Sequence, residues 1–243
     1  MTVRARPRSA GSARRTLARV AHGVVGGLCL LGSTMTSLYI ASTKVSELPV
    51  GAGYTHQFAA GWEHVLNQPA YFTFMSNALV GVTSLLLAIR PEISSPTFRV
   101  LRLAGLSCLV ITGVVFNVLL RDGASLPGVE TINDTVSHVI TPVLAPLVWL
   151  AFGPRGLISW RTVAISAAIP LAWLAVTLLR GPLIDWYPYT ILDVPKLGYA
   201  GVSGYIGAIF AGYFAVAGVF WGLDRLLLRV SGEDPTSGKT LQR

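Results

Sequence analysis

The feature that most constrains this chain is an apolar run that recurs six times, at roughly 20–41, 70–89, 99–120, 137–152, 161–179 and 203–223. About twenty residues is the length an α-helix needs to cross a hydrocarbon core of ~30 Å. A bilayer offers no water to backbone amides, so such runs resolve as helices that satisfy their own hydrogen bonds. The expected fold is all-α: a polytopic membrane protein with six transmembrane helices in one bundle. Composition agrees. Of 243 residues 52% are hydrophobic and only 12% charged, about half the charge a water-facing surface usually carries. A cytosolic globule, a disordered chain and a disulfide-rich secreted module are excluded on the same ground. The fourth run carries Pro142 and Pro146, which predicts a kink or shelter among neighbours. The first run follows a basic segment, as a secretory signal would. Its apolar stretch is longer than a signal's and no small-x-small cleavage site follows, so it reads as an uncleaved anchor.

The net charge of +8 is better explained by orientation than by nucleic acid. Arg4, Arg6, Arg8, Arg14, Arg15 and Arg19 all precede the first run, a pattern that sets topology and favours anionic lipid, so no nucleic-acid partner is expected. With the N-terminus in the cytosol, all but Lys44, Arg121, Arg180 and Lys196 of the 19 Lys and Arg fall on the inner side. The chain is expected to be multi-pass in the plasma membrane with both termini cytosolic. Its organisation is a cytosolic basic tail (1–19), a six-helix transmembrane domain (20–223) and a cytosolic C-terminal tail (224–243). The polar chemistry gathers in the outer loops: His56, Trp62, Glu63 and His64 in 42–69, Asp122, Glu130, Asn133 and Asp134 in 121–136, and Asp185 to Tyr189 with Asp193 in 180–202.

Three constellations on that side could carry chemistry. His138 follows Asn133-Asp134-Thr135-Val136-Ser137, and in a helix Asp134 lies four residues back on the same face. A carboxylate there can hold one imidazole nitrogen and leave the other free as a general base. Equally, Asp134 or Asn133 can cap the helix, with His138 an interfacial polar residue. The second is Thr73, Ser76 and Asn77, whose spacing puts three hydrogen-bonding side chains on one face of the second span. Such a stripe either glues helices together or, if a base reaches Thr73 from another helix, supplies a nucleophile. The third is Asp185-Trp186-Tyr187-Pro188-Tyr189, an interfacial aromatic belt or a lid over a pocket. Cys29 and Cys108 lie within apolar runs and read as small hydrophobes. No metal or organic cofactor is expected, because no zinc spacing, phosphate loop or nucleotide fingerprint occurs. Haem would need facing histidines, and His22 lies at the opposite end of the membrane from His138.

These stretches resemble the androgen-induced membrane hydrolase family, which has eukaryotic and actinobacterial members. The resemblance rests on Phe72-Thr73-Phe74 with a polar residue within one turn, on His138 preceded by Asn133 and followed by Pro142, and on Trp186-Tyr187-Pro188 running to Leu192-Asp193. The motifs come in the family's order along a similar six-span chain, over roughly 20–223. The family's eukaryotic members are threonine hydrolases of fatty-acyl esters of hydroxy fatty acids. What the resemblance implies is that Thr73 is the nucleophile and His138 the base of a lipid-ester hydrolase working through an acyl-threonine. On that reading Asp134 orients His138, and the substrate is a lipid taken from the membrane into an outward-opening pocket between spans two and four, under the 180–195 loop. Phe72, Phe74 and Met75 would receive its acyl chain. An oxyanion donor is required, for which Asn77, Asn133 and Asn117 are the candidates, with Ser76, Trp186 and Tyr187 as further pocket residues. The alternative is a non-enzymatic lipid-binding or scaffold protein. A small-solute permease would need broken helix pairs and embedded charges, which the runs lack. Oligomeric state is not legible.

Overall fold

A computed structural model describes residues 8–121 and 126–231. Helix dominates and no strand occurs among the described residues. Among the described residues six helices are long and apolar enough to span a membrane: α1 (Gly11–Thr43), α2 (Phe72–Ile89), α3 (Pro96–Leu120), α4 (Val129–Phe152), α5 (Trp160–Ile184) and α6 (Val194–Val230). The chain is an all-α polytopic membrane protein. One end of the bundle carries the longer connections, 44–61, the stretch from Arg121 to Gly128, and 185–193; the other carries short ones. Asp122 and Ser125 lie outside the described residues.

Several helices run past the apolar stretches that mark them. Helix starts at Arg8 and continues through α1, and α6 persists to the end of the described residues, so 8–19 and 224–231 are helical. α4 begins at Val129, ahead of its apolar run, and α6 begins at Val194, which shortens the third long connection to 185–193. Mean hydropathy marks only the stretch that fits the hydrocarbon core, whereas backbone hydrogen bonding carries a helix on into the interface. α5 is stepped at Ala167, and a left-handed Gly198 kinks the first turn of α6.

α3 is the central staff: 56% of its apolar window is buried, more than in any other span, and it packs against α2, α4, α5 and α6. Its close approach to α4 depends on Gly113, where a Cβ would stand 2.6 Å from the Cβ of Pro142. Arg102, counted from sequence among the inner-loop cations, lies inside α3 and is buried; its Nη1 donates to Ser84 Oγ at 2.7 Å and Thr83 Oγ1 at 3.2 Å. At the long-loop end a second aromatic core of Tyr54, Phe58, Trp186 and Tyr187 joins connections 44–61 and 185–193. Tyr187 fits because residue 181 is Gly: a Cβ there would fall 2.2 Å from its ring.

Candidate functional site

α4 starts in ordinary α geometry (Val129–Thr135), widens to a π turn over Val136–Ile140, and returns to α at Thr141. Pro142 contributes to that break, because it has no N–H to offer the carbonyl of His138 four residues earlier. Asn117 fills the gap from the neighbouring helix, its Nδ2 donating to His138 O at 2.8 Å and to Gly113 O at 2.7 Å. Asn117 itself lies in a second π turn, Phe116–Leu120, at the end of α3. Such turns are frequent where a side chain must be re-aimed.

The side chain aimed here is His138. Its Nδ1 meets Asp134 Oδ1 at 2.9 Å and its Nε2 meets Thr73 Oγ1 at 3.3 Å. Thr73 is the second residue of α2, and the three residues come from two helices 65 positions apart in sequence. Asp134 also pairs through Oδ2 with Arg121 Nη1 at 3.0 Å, while Arg121 Nε donates to Asn117 Oδ1 at 2.9 Å. Carboxylate, imidazole and hydroxyl thus stand in series, with a guanidinium behind the carboxylate. The site also holds Tyr189, whose hydroxyl accepts from Thr73 N–H at 3.2 Å and lies 3.4 Å from Thr73 Oγ1. Burial pushes the Tyr189 phenol above its ordinary range, partly offset by its bonds to Thr73.

Thr73 faces a cavity of about 700 Å³, mouth included, whose lining is almost wholly apolar: Phe72, Val115, Phe116, Trp173, Ile206 and Phe210 among others. Its walls are α2, α3, α5 and α6, with Tyr189 to Leu192 at one side. The sequence places the pocket between spans two and four, and this is corrected: α4 supplies none of the lining, because His138 stands behind Thr73 with Phe116 beside it. A second recess of about 1080 Å³ lies between α2 and α5, includes Met75, Arg180 and Trp186, and is divided from the first by Trp173, which lines both. Phe72 lines the first and Met75 the second, whereas Phe74 lines neither.

Asn77, fully buried one turn below Thr73, donates to Thr73 O at 3.0 Å and accepts from Thr141 Oγ1 at 2.8 Å. Asn133 turns to α1, where its Nδ2 donates to Thr36 Oγ1 at 2.6 Å and Ser33 O at 2.9 Å. Asn117 clamps α3 to α4 as described. None of the three lines the cavity beside Thr73, and each is bonded to a second helix. Ser76 bonds Thr112 Oγ1 of α3 at 3.1 Å, which is the glue reading of that stripe. Trp186 and Tyr187 do not line the cavity at Thr73 either; they form the aromatic core beneath the long connections. Tyr189 and Arg121 are the site residues that sequence reasoning leaves unassigned. Tyr189 belongs to an aromatic cluster explained by a membrane interface, and Arg121 counts only as a loop charge.

No metal-binding group of three or more His, Cys, Asp or Glu occurs among the described residues. Comparison of the chain with protein-family models, curated proteins and solved structures finds no match.

Proposed function

We propose that this chain is an integral-membrane hydrolase of lipid esters, with Thr73 as nucleophile, His138 as general base and Asp134 as the group that orients the imidazole. The observation that carries this reading is the series Asp134 Oδ1, His138 and Thr73 Oγ1, closed at 2.9 and 3.3 Å beside an apolar cavity. An unassisted hydroxyl is a poor nucleophile at neutral pH, and a base at hydrogen-bond reach, itself held by a third group, is what activates one. The neutral imidazole accepts the Thr73 proton at Nε2 as Oγ1 attacks the ester carbonyl. The tetrahedral intermediate collapses to an acyl-threonine, and the alcohol leaves with the proton returned by His138. Water, deprotonated in turn by His138, then releases the fatty acid and restores Thr73.

The apolar lining supports a long acyl chain as the part of the substrate held in the cavity. The likeness of the three sequence motifs to the androgen-induced membrane hydrolases supports fatty-acyl esters of hydroxy fatty acids as the substrate type. The distribution of Lys and Arg supports a plasma-membrane protein with cytosolic termini and the site near the extracytoplasmic face. The test is purified protein treated with a fluorophosphonate probe and p-nitrophenyl acyl esters. The expected result is covalent labelling and hydrolysis in the wild type, both lost in Thr73→Ala and His138→Ala. Labelling and hydrolysis that persist in both variants would leave a lipid-binding or scaffold protein.

A further inference from the structure

Acyl transfer through Thr73 needs a donor for the carbonyl oxygen as it becomes an oxyanion, and none of Asn77, Asn117 and Asn133 lines the cavity from which an ester would approach. We propose that the Tyr189 hydroxyl is that donor. The inference rests on the hydrolase reading above and adds to it the group that stabilises the transition state.

The geometry argues for it in three steps. The first N–H groups of a helix have no intrahelical partner and carry the positive end of its dipole. Tyr189 places its phenol oxygen there, on the N–H of Thr73 at the start of the 18-residue helix Phe72–Ile89. An oxygen that accepts from such a group is polarised, and its own proton becomes a better donor. The proton has one direction left to go. Thr73 Oγ1 carries a single hydrogen, which in the reactive arrangement is committed to His138 Nε2, so across the 3.4 Å contact Tyr189 is the donor and Oγ1 the acceptor.

Tyr189 and His138 therefore address different lone-pair directions of the same oxygen, and of the two only Tyr189 lines the cavity from which an ester would approach. When Oγ1 bonds to the carbonyl carbon, the carbonyl oxygen becomes a near neighbour of Oγ1 on that side. The phenol proton then transfers its hydrogen bond from Oγ1 to the developing anion. That bond is made in the transition state and not with the resting ester, which is the condition for raising kcat.

The ring is held for this task. It lies edge-on to Tyr71 at 6.2 Å and tilted against Trp173 at 6.3 Å, and Trp173 is fixed by its Nε1 bond to Ala70 O at 3.0 Å. The phenol also stays protonated at neutral pH, since burial raises it further above an already alkaline range.

The experiment compares wild type, Tyr189→Phe and Thr73→Ala in detergent, using a p-nitrophenyl decanoate assay and the fluorophosphonate probe. Tyr189→Phe keeps the ring packing and removes the donor, so kcat and the labelling rate should fall about 10²- to 10³-fold while KM moves by less than about threefold. A second variant carries 3,5-difluorotyrosine at position 189; its more acidic phenol should move the alkaline limb of the kcat profile to lower pH, which a purely structural tyrosine would not do. Wild-type activity with Tyr189→Phe within about threefold of it, or an unmoved alkaline limb, overturns the assignment of Tyr189 and leaves the Thr73 hydrolase standing. A wild type that neither hydrolyses the ester nor labels at Thr73 overturns both.

Discussion

Phe116 lies flat against the imidazole of His138, the two ring centroids 3.5 Å apart and the planes within 5°. On the same phenyl ring sits the Arg121 guanidinium, 5.0 Å from the centroid. The π turn at Phe116–Leu120 thus delivers a flat surface against the His138 imidazole. Phe116→Leu keeps most of the volume and loses the surface, so His138 gains rotational freedom. The expected outcome is a fall in ester hydrolysis of roughly 10- to 100-fold, the scale of an ångström-sized misplacement. Comparing kcat with KM checks it, since a loss confined to KM would mean that Phe116 serves only as cavity wall.

The capping role that the sequence also allowed Asp134 is corrected by the structure: α4 begins at Val129, so Asp134 lies within the helix and has no helix end to cap. Asp134→Asn therefore tests its bond to His138 Nδ1 at 2.9 Å, because an amide can donate to that nitrogen and stabilise the tautomer with its proton on Nε2, facing Thr73. The expected outcome is a drop in kcat on the order of 10²- to 10⁴-fold with the fold retained, read by steady-state kinetics beside a melting curve.

Ser76 is the nearest competing hydroxyl on the same face of α2, and its bonds to Thr112 Oγ1 and Thr73 O make it a joint between α2 and α3. Ser76→Ala should leave probe labelling at Thr73 intact and cost about 1 kcal/mol of stability or less, the usual worth of an interhelical hydroxyl bond. Peptide mapping of the labelled residue is the measurement, and loss of label in Ser76→Ala with retention in Thr73→Ala would exchange their roles.

What the sequence makes legible follows from physical range. Six spans are plain because each is a continuous local signal, and the Asp134–His138 pair is plain because both lie on one helix at a fixed spacing. The meeting of Thr73 with His138 has no local signature, because the two lie 65 positions apart on different helices. Asn117, Asn133 and Trp186 look like site residues in sequence because polar and aromatic side chains at a membrane end are scarce. In the structure, a backbone gap claims Asn117, a helix joint Asn133 and the aromatic core Trp186. Asn117 illustrates the reason: the demand it meets is the carbonyl freed by Pro142, on a different helix. Tyr189 fails to stand out for the opposite reason, since a tyrosine among Trp186, Tyr187 and Pro188 is already accounted for by the interface.

The two long connections are tied by Asp185, which ends α5 in the left-handed conformation, φ 51°, ψ 49°, and accepts from Thr55 N–H at 2.9 Å and Thr55 Oγ1 at 2.7 Å. Those two bonds hold its carboxyl below the usual carboxylate range. A group whose folded-state pKa is depressed stabilises the folded arrangement above its unfolded value, about 3.9 for Asp, and loses that contribution as pH falls through the folded value. The tether is therefore intact at neutral pH and lets go only in stronger acid. Hydrogen exchange at the Thr55 amide should stay slow from neutral pH down to about pH 4 and quicken below it, relative to the intrinsic rate. In Asp185→Asn the quickening should already be present at neutral pH, because a neutral amide oxygen is a weaker acceptor.

Orientation has its own test, and the two native cysteines do not interfere with it, since Cys29 and Cys108 are both 0% exposed. Val50, fully exposed in the connection 44–61, marks the long-loop end, and Ser159, ahead of α5, marks the other. Position 201, which the sequence assigns to an outer loop, lies within α6 and is a poor reporter. If the Lys and Arg distribution sets topology, Val50→Cys should react with an impermeant maleimide on intact cells and Ser159→Cys only after the membrane is permeabilised. The reverse pattern would turn the Thr73–His138 pair toward the cytosol. Its substrate would then be drawn from the inner leaflet, while the chemistry proposed for the pair would be unaffected.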